Sequence, residues 1–168
     1  FFNPPHNSLT PSLLNDLTSL INSAAKENKI HIIVLKSGGD RVFCAGASFN
    51  QMVEISDEVE GKSFFMGFAN VINALRKCPK ITIGSIQGKA VGGGVGLASA
   101  VDICFATEFA DIKLSELSIG IGPFVIEPAV KRKIGVSAMS QLTLKAQTFF
   151  SAKWAMEKGL YANVFESN

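Results

Sequence analysis

A glycine-rich stretch in the middle of the chain restricts its possible folds more than any other feature. Residues 80–104 read KITIGSIQGKAVGGGVGLASAVDIC. The order of apolar run, glycine turn, small-residue run and apolar run predicts a strand, a helix over residues 95–100 and a second strand. Glycines at 92–94 would leave the amides at the helix start unshielded by any Cβ. Because these first amides also lack partners within the helix, the stretch predicts a site for negative charge.

Phosphate is the first candidate for that charge, and the spacing argues against it. A P-loop requires G-x-x-x-x-G-K-[ST], whereas residues 84–90, GSIQGKA, are one residue short and end in alanine. A dinucleotide fingerprint requires G-x-G-x-x-G, but Gly94 and Gly96 are followed by Ser99. The remaining use of such amides is an oxyanion hole, in which N–H donors stabilise an oxygen that gains charge in the transition state.

Three motifs follow one another along the chain: FCAGA at residues 43–47, QGKAVGGGVGLA at 87–98 and SELSIG at 115–120. Together they resemble the enoyl-CoA hydratase/isomerase (crotonase) superfamily, and the resemblance extends over nearly the whole chain. It implies an α/β fold, the crotonase-like β/β/α spiral (ClpP/crotonase fold), in a single acyl-CoA-binding domain over residues 1–168. Chains of this superfamily are longer, so we expect an N-terminal strand and the C-terminal helical region to be missing.

The resemblance also implies a role for individual residues. The amides of Ala47 and Gly93 would form the oxyanion hole around the thioester carbonyl, and Glu116 would be the acid/base group. The residues implied to contact the acyl-CoA substrate are Ala45, Gly46, Gly92, Lys89 and Phe68, with Arg41 as a second cationic candidate for the CoA phosphates. CoA would be part of the substrate, so no separate cofactor is expected.

One carboxylate that hydratases of this superfamily use is absent. They place a second glutamate three residues after the middle oxyanion glycine, where this chain has Gly96. A single carboxylate is enough to move a proton between two carbons, as a Δ3-Δ2 enoyl-CoA isomerase must, whereas hydration is easier with two acids. Glu127 is a candidate for a second acid/base; alternatively, it complements a helix dipole.

The overall similarity nevertheless favours an enoyl-CoA hydratase-type lyase, with the single-base isomerase as the alternative. A second alternative is a non-catalytic acyl-CoA-binding or scaffold protein, because one carboxylate is missing. The resemblance further implies a homotrimer or hexamer.

Composition restricts the remaining classes of function. The net charge is +2 and 18% of the residues are charged, so there is no basic stripe that would predict nucleic-acid binding. No run of about 18 apolar residues and no leader pattern occurs, so we expect no membrane association and a cytoplasmic location. His6 and His31 have no carboxylate at ligand spacing, which argues against a metal site. The three cysteines are expected to be reduced, buried thiols.

The flanking segments predict further strands and helices. Thr10 and Pro11 predict a helix start, and apolar spacing continues the helix to about Lys26. Residues 29–36, KIHIIVLK, predict a parallel strand that is covered on both faces. Residues 51–60 predict a polar, mobile segment over the acyl pocket. Further helices are predicted at residues 61–76, 127–134, 137–144 and from a Ser151 cap to Gly159.

Overall fold

Strands and helices alternate along the chain in the computed structural model, which describes residues 1–166 and, at residues 49 and 50, the backbone alone. The helices are α1 (Pro11–Lys26), α2 (Phe49–Val53), α3 (Glu58–Lys77), α4 (Gly93–Ala100), α5 (Glu127–Leu144) and α6 (Ala152–Glu157). The strands are β1 (Ile32–Lys36), β2 (Val42–Cys44), β3 (Ile81–Ile86), β4 (Lys89–Val91), β5 (Ile103–Thr107), β6 (Ile112–Lys113) and β7 (Asn163–Phe165). A 3₁₀ helix spans Glu116–Ile119.

The strands form two parallel sheets, and successive strands enter them alternately. The larger sheet has the order β1-β3-β5-β7 and the smaller has the order β2-β4-β6. The chain therefore winds as a spiral, in which each turn adds one strand to each sheet. This is the α/β, crotonase-like spiral that the resemblance implied.

The first helix forms as its sequence predicts. The Thr10 side chain accepts a hydrogen bond from the Leu13 amide, and proline occupies the first turn. Helix α1 buries Leu14 and Ile21. A Cβ added to Gly67 of α3 would lie 2.8 Å from Leu14 Cδ1, which shows how closely α1 and α3 pack. The glycine thus permits the contact between the two helices.

The prediction that residues 29–36 form a strand covered on both faces is wrong. The strand is shorter, and along it the β-branched side chains Ile32 and Val34 remain 51% and 54% exposed while Leu35 is buried. Ile81 on the neighbouring strand is exposed on the same face. Valine and isoleucine favour strands on either face of a sheet, so the run predicts the strand and not its burial.

Two other segments differ in detail from their prediction. Residues 51–60 contain the end of α2 and the start of α3, whose cap Asp57 accepts a hydrogen bond from the Glu60 amide at 2.8 Å. The helical segments predicted at residues 127–134 and 137–144 join as α5, which is kinked at Gly135 (φ 76°, ψ 168°). That backbone conformation is not helical, so the kink separates the two predicted segments.

The cysteines are free thiols, as the sequence predicts; Cys44 and Cys104 are buried and Cys78 is half-buried. Burial raises the pKa of Cys44 and of Cys104 to about 12, so both thiols are protonated at neutral pH. Within residues 1–166, no helix combines the length and apolar character that crossing a membrane requires.

Candidate active site

A cavity of about 220 Å³ lies where the loop after β2, the start of α4 and the 3₁₀ helix come together. Its lining includes seven of the residues that the sequence assigned to the site, which are Ala45, Gly46, Ala47, Phe68, Gly92, Gly93 and Glu116. The smaller sheet causes this assembly, because β2 and β4 pair in parallel and their carboxyl ends lie side by side. The residues that follow the two strands consequently meet at one edge of the sheet.

The turn into α4 depends on glycine at position 92. Gly92 has φ 53° and ψ −117°, a conformation that L side chains rarely adopt. A Cβ there would also lie 2.9 Å from Glu116 Oε1. The Gly92 amide donates to the Lys113 carbonyl oxygen at 2.9 Å, which fixes the turn to β6. The carboxylate of Glu116 therefore packs directly against the backbone that begins α4.

The two candidate oxyanion donors belong to neighbouring backbone segments. A Cβ added to Gly46 would lie 3.4 Å from the Gly93 nitrogen and 3.1 Å from the Val91 carbonyl oxygen. The loop that ends in Ala47 thus contacts the first residue of α4. Among residues 1–166, neither the Ala47 amide nor the Gly93 amide has a hydrogen-bond acceptor. Both amides are available to an oxygen that enters the cavity.

The Phe68 ring packs against the start of α4. A Cβ added to Gly93 would lie 2.3 Å from Phe68 Cε1, and the Phe68 side chain is only 6% exposed. Phe64 and Phe65 on the same helix also line the cavity. Helix α3 therefore forms one wall of the cavity.

Glu116 is the only ionisable side chain that lines the cavity in the described part of the chain. It opens the 3₁₀ helix, and its Oε2 atom is buried without a hydrogen-bond partner within residues 1–166. Burial raises the pKa of this carboxyl, although a hydrogen bond from its own backbone opposes the effect. A carboxyl of this kind can accept and return a proton closer to neutral pH than an exposed carboxyl can.

The position that a second carboxylate would need is filled by hydrocarbon. A Cβ added to Gly96 would lie 2.5 Å from Ile126 Cγ2 and 3.2 Å from Ile72 Cδ1. Both isoleucines are about 95% or more buried, and Ile126 lines the cavity. No side chain larger than hydrogen fits at Gly96 unless Ile126 moves.

Three residues considered from the sequence do not line the cavity. Glu127 forms an ion pair with Lys131 one turn further along α5. Lys89 lies over the ring of Phe149 at 4.9 Å, and Lys113 lies 4.6 Å from the same ring. Arg41 is exposed, and its carbonyl oxygen accepts a hydrogen bond from the Lys89 amide at 3.1 Å. The structure does not bring these three side chains together with Glu116.

The structure also adds residues that the sequence analysis did not assign to the site. Met52, Ser115, Ile119, Ile121, Val125 and Ile126 line the cavity. Ser115 stands beside Glu116 in the third motif, so that motif contained a signal for it. Ile119 also lies in that motif, and Met52 lies in α2. Ile121, Val125 and Ile126 follow the motif in the segment before α5, without any periodic pattern. Residues 1–166 contain no cluster of three or more metal-binding side chains.

Comparisons with known proteins identify the family of the chain. The model of the family described as "Enoyl-CoA hydratase/isomerase" matches residues 1–168. The human mitochondrial methylglutaconyl-CoA hydratase is 32% identical over 163 residues, which are 96% of this chain and 48% of that protein. Enoyl-CoA hydratase AKT6-1 of Alternaria alternata is 33% identical over 84% of this chain and 46% of its own length. The chain thus spans about half the length of these curated relatives.

Solved structures show the same fold. An enoyl-CoA hydratase from Shewanella pealeana is similar with a TM-score of 0.90 and 31% identity, over 95% of this chain and 60% of that one. A Legionella pneumophila protein assigned as an enoyl-CoA hydratase/isomerase (crotonase) has a TM-score of 0.91 and 34% identity, over 96% of this chain and 62% of that one. The chain therefore belongs to the enoyl-CoA hydratase/isomerase family and has the crotonase fold.

Proposed function

We propose that this site isomerises an unsaturated acyl-CoA thioester by moving its double bond from carbon 3 to carbon 2, with Glu116 as the single acid/base. The observation that carries the proposal is that Glu116 is the one ionisable side chain on the cavity wall within residues 1–166. One carboxylate can serve both proton transfers of such a reaction, because it accepts a proton in the first and returns it in the second.

The proposed reaction has two proton transfers. The Glu116 carboxylate removes a proton from carbon 2, and the electron pair left behind moves through the carbonyl to give a dienolate with negative charge on the thioester oxygen. The amides of Ala47 and Gly93 donate to that oxygen. Protonated Glu116 then delivers its proton to carbon 4, where the electron pair of the double bond between carbons 3 and 4 forms the new C–H bond. The charge on the oxygen returns to re-form the carbonyl, the double bond shifts to carbons 2 and 3, and the carboxylate is restored.

The surroundings of Glu116 suit this exchange. Its raised pKa brings the carboxyl closer to the value of a carbon acid activated by two amide donors, so that proton transfer in each direction is less unfavourable. Each preorganised oxyanion donor contributes about 3–4 kcal/mol in enzymes where its loss has been measured. The apolar side chains of the lining lower the local dielectric, which strengthens both interactions.

Hydration is the second candidate, and it is favoured by the names of the relatives. The human and Alternaria relatives are both called hydratases. Hydration of carbon 3 requires a held and deprotonated water molecule. In this chain the place next to α4 where a second carboxylate would hold water is filled by Ile126. That observation ranks the isomerase above the hydratase that the sequence alone favoured.

A parallel assay with two substrates tests the proposal. We expect 3-hexenoyl-CoA to gain the absorbance of a conjugated enoyl thioester, and crotonyl-CoA to keep its absorbance in the same buffer. Glu116→Gln should reduce the rate of the first reaction by about 10²–10⁴-fold, since it removes the proton acceptor and preserves the shape.

The other outcomes identify the alternatives. Loss of crotonyl-CoA absorbance at a rate that exceeds the isomerisation would make the protein a hydratase. A third outcome is that the wild type and Glu116→Gln turn over neither substrate and bind a saturated acyl-CoA with equal affinity. That result would favour the non-catalytic acyl-CoA-binding protein. Glu127→Gln is the control. It makes the same substitution at a residue outside the cavity, so it should leave the rate unchanged.

A further inference from the structure

Most of the side chains that line the cavity are apolar. Ser115 and Glu116 are the only lining side chains with an oxygen or nitrogen atom in the described part of the chain. The apolar side chains of the lining include Phe64, Phe65, Ile119, Ile121 and Val125, together with the buried Phe68 and Ile126. Apart from backbone groups and Ser115, such a wall offers only dispersion contacts and desolvation to a ligand.

In the part of the chain that the structure describes, the cavity has no cationic side chain in its lining. Lysine, arginine and histidine are absent from its lining within residues 1–166. Lys89 and Lys113 are held over the Phe149 ring, and Lys131 pairs with Glu127. The single ionisable group, Glu116, is itself negative when it acts as a base. A second negative charge in the cavity would therefore meet no opposite charge and one like charge.

Electrostatics make this arrangement selective. A carboxylate that leaves water for an apolar wall loses its hydration, and only an ion pair or several hydrogen bonds can compensate for that loss. An isopropyl group has nearly the same shape as a carboxylate, and its transfer from water to the apolar wall is favourable. The wall consequently distinguishes two acyl groups of equal size by their charge.

The cavity volume agrees with a short acyl group. A water molecule occupies about 30 Å³ of the liquid. The cavity volume of about 220 Å³ therefore corresponds to about seven groups of that size. The thioester and a chain of a few carbons fill this space. A carboxylate at the end of such a chain would lie among the apolar side chains of the lining.

We propose that the acyl group accepted here is a hydrocarbon chain, and that the wall formed by Phe64, Phe65, Ile119, Ile121 and Val125 rejects acyl groups that carry a second carboxylate. This inference rests on the proposed acyl-CoA site and names its substrate class. It concerns binding, so it can be tested without turnover.

The experiment compares two saturated thioesters that differ only in charge. Glutaryl-CoA and 5-methylhexanoyl-CoA have the same number of heavy atoms and the same branching, since a carboxylate replaces an isopropyl group. Their dissociation constants are measured by titration calorimetry at neutral pH, with free CoA as the reference. We expect 5-methylhexanoyl-CoA to bind at least about 100-fold more tightly than glutaryl-CoA, which is about 2.8 kcal/mol.

The same pair is then measured with Glu116→Gln. We expect the variant to keep at least a tenfold preference for the hydrocarbon chain, because the missing cation and the apolar wall remain after the like charge is gone. Equal affinity of the two thioesters in the wild type would overturn the inference. Loss of the whole preference in Glu116→Gln would also overturn it, since repulsion by Glu116 alone would then be the cause.

These outcomes stay separate from those of the proposed reaction. A protein that prefers the hydrocarbon thioester and turns over neither unsaturated substrate supports the substrate class and contradicts the isomerase. A protein that isomerises 3-hexenoyl-CoA and binds glutaryl-CoA equally well supports the isomerase and contradicts the substrate class. Failure of every thioester to bind more tightly than free CoA would contradict both.

Discussion

At the scale of single residues, the site depends on a carboxyl that is buried against backbone and hydrocarbon. Glu116 has an oxygen without a partner in the described chain, and its pKa is raised by burial. This arrangement carries a thermodynamic cost, because a charged carboxylate is less stable there than in water. The same raised pKa lets the group exchange a proton closer to neutral pH than an exposed carboxyl would, so function and stability make opposite demands on this residue.

The cost predicts how stability depends on pH. Folded Glu116 binds its proton more tightly than the unfolded chain does, whose pKa is near 4.5. Stability therefore falls as the pH rises from about 4.5 through the raised pKa. Glu116→Gln removes this loss, so we expect a higher free energy of unfolding than the wild type at pH 7 and no such advantage at the lowest pH that keeps the protein folded. Urea unfolding at both pH values measures the difference.

Glu127→Gln is the matched control for this measurement. Its carboxylate is partly exposed and paired with Lys131, so its loss should change stability by about 0.5 kcal/mol or less at either pH. A Glu116→Gln variant whose advantage is the same at both pH values would contradict the assignment of a raised pKa to Glu116.

At the scale of elements, α4 is the helix against which the site is built. Its small residues let three other elements approach its backbone: α3 through Phe68 at Gly93, β2 through the Cys44 carbonyl at Gly94, and the residue before α5 through Ile126 at Gly96. The added Cβ atoms would lie 2.3, 2.4 and 2.5 Å from these neighbours. The glycines are therefore required by packing as well as by the accessible amides.

This packing predicts opposite effects of the same substitution at two helical glycines. Gly93→Ala places a methyl group against the Phe68 ring and should destabilise the protein by about 1–3 kcal/mol. Gly61→Ala in α3 meets only Ile55 at 3.6 Å, and should stabilise it by about 0.5–1 kcal/mol through better helix propensity. Equilibrium unfolding of both variants is the measurement, and a neutral Gly93→Ala would contradict the packing described for α4.

The contact between α4 and Ile126 predicts that one substitution cannot install a second acid. Gly96→Glu alone should lower stability by about 1–3 kcal/mol and add no hydration of crotonyl-CoA, since Ile126 occupies the space. Gly96→Glu combined with Ile126→Ala should recover part of that stability and hydrate crotonyl-CoA measurably. The control is Ile126→Ala alone, which should not hydrate it; hydration by Gly96→Glu alone would contradict the account.

At the scale of the whole molecule, the spiral brings distant segments to one cavity, and the sequence predicts this only in part. The sequence identifies motifs that depend on backbone geometry, such as the turn at Gly92, because few residue types other than glycine adopt the conformation that the turn requires. The burial of β1 was not, because Ile32 and Val34 have the same strand preference on either face. Ile126 was missed because it follows no periodic pattern, and its role depends on a contact with α4, which is distant in sequence.

Glu127 illustrates the same limit. It follows directly after a residue that lines the cavity, yet the backbone at the start of α5 directs its side chain toward Lys131. Adjacent residues on a helix point in different directions, so closeness along the chain does not predict closeness to the site. What remains in the cavity is one carboxyl, and this is the central claim about the molecule.

The most direct test of that claim is the pH dependence of kcat/KM for 3-hexenoyl-CoA. A single catalytic carboxylate predicts a rate that rises with pH through one ionisation, above the ordinary value of 4.5, and then stays level. Glu116→Gln should lose that ionisation together with the activity. A bell-shaped profile in the wild type would contradict the claim, because its second limb would report another essential ionisable group in the site.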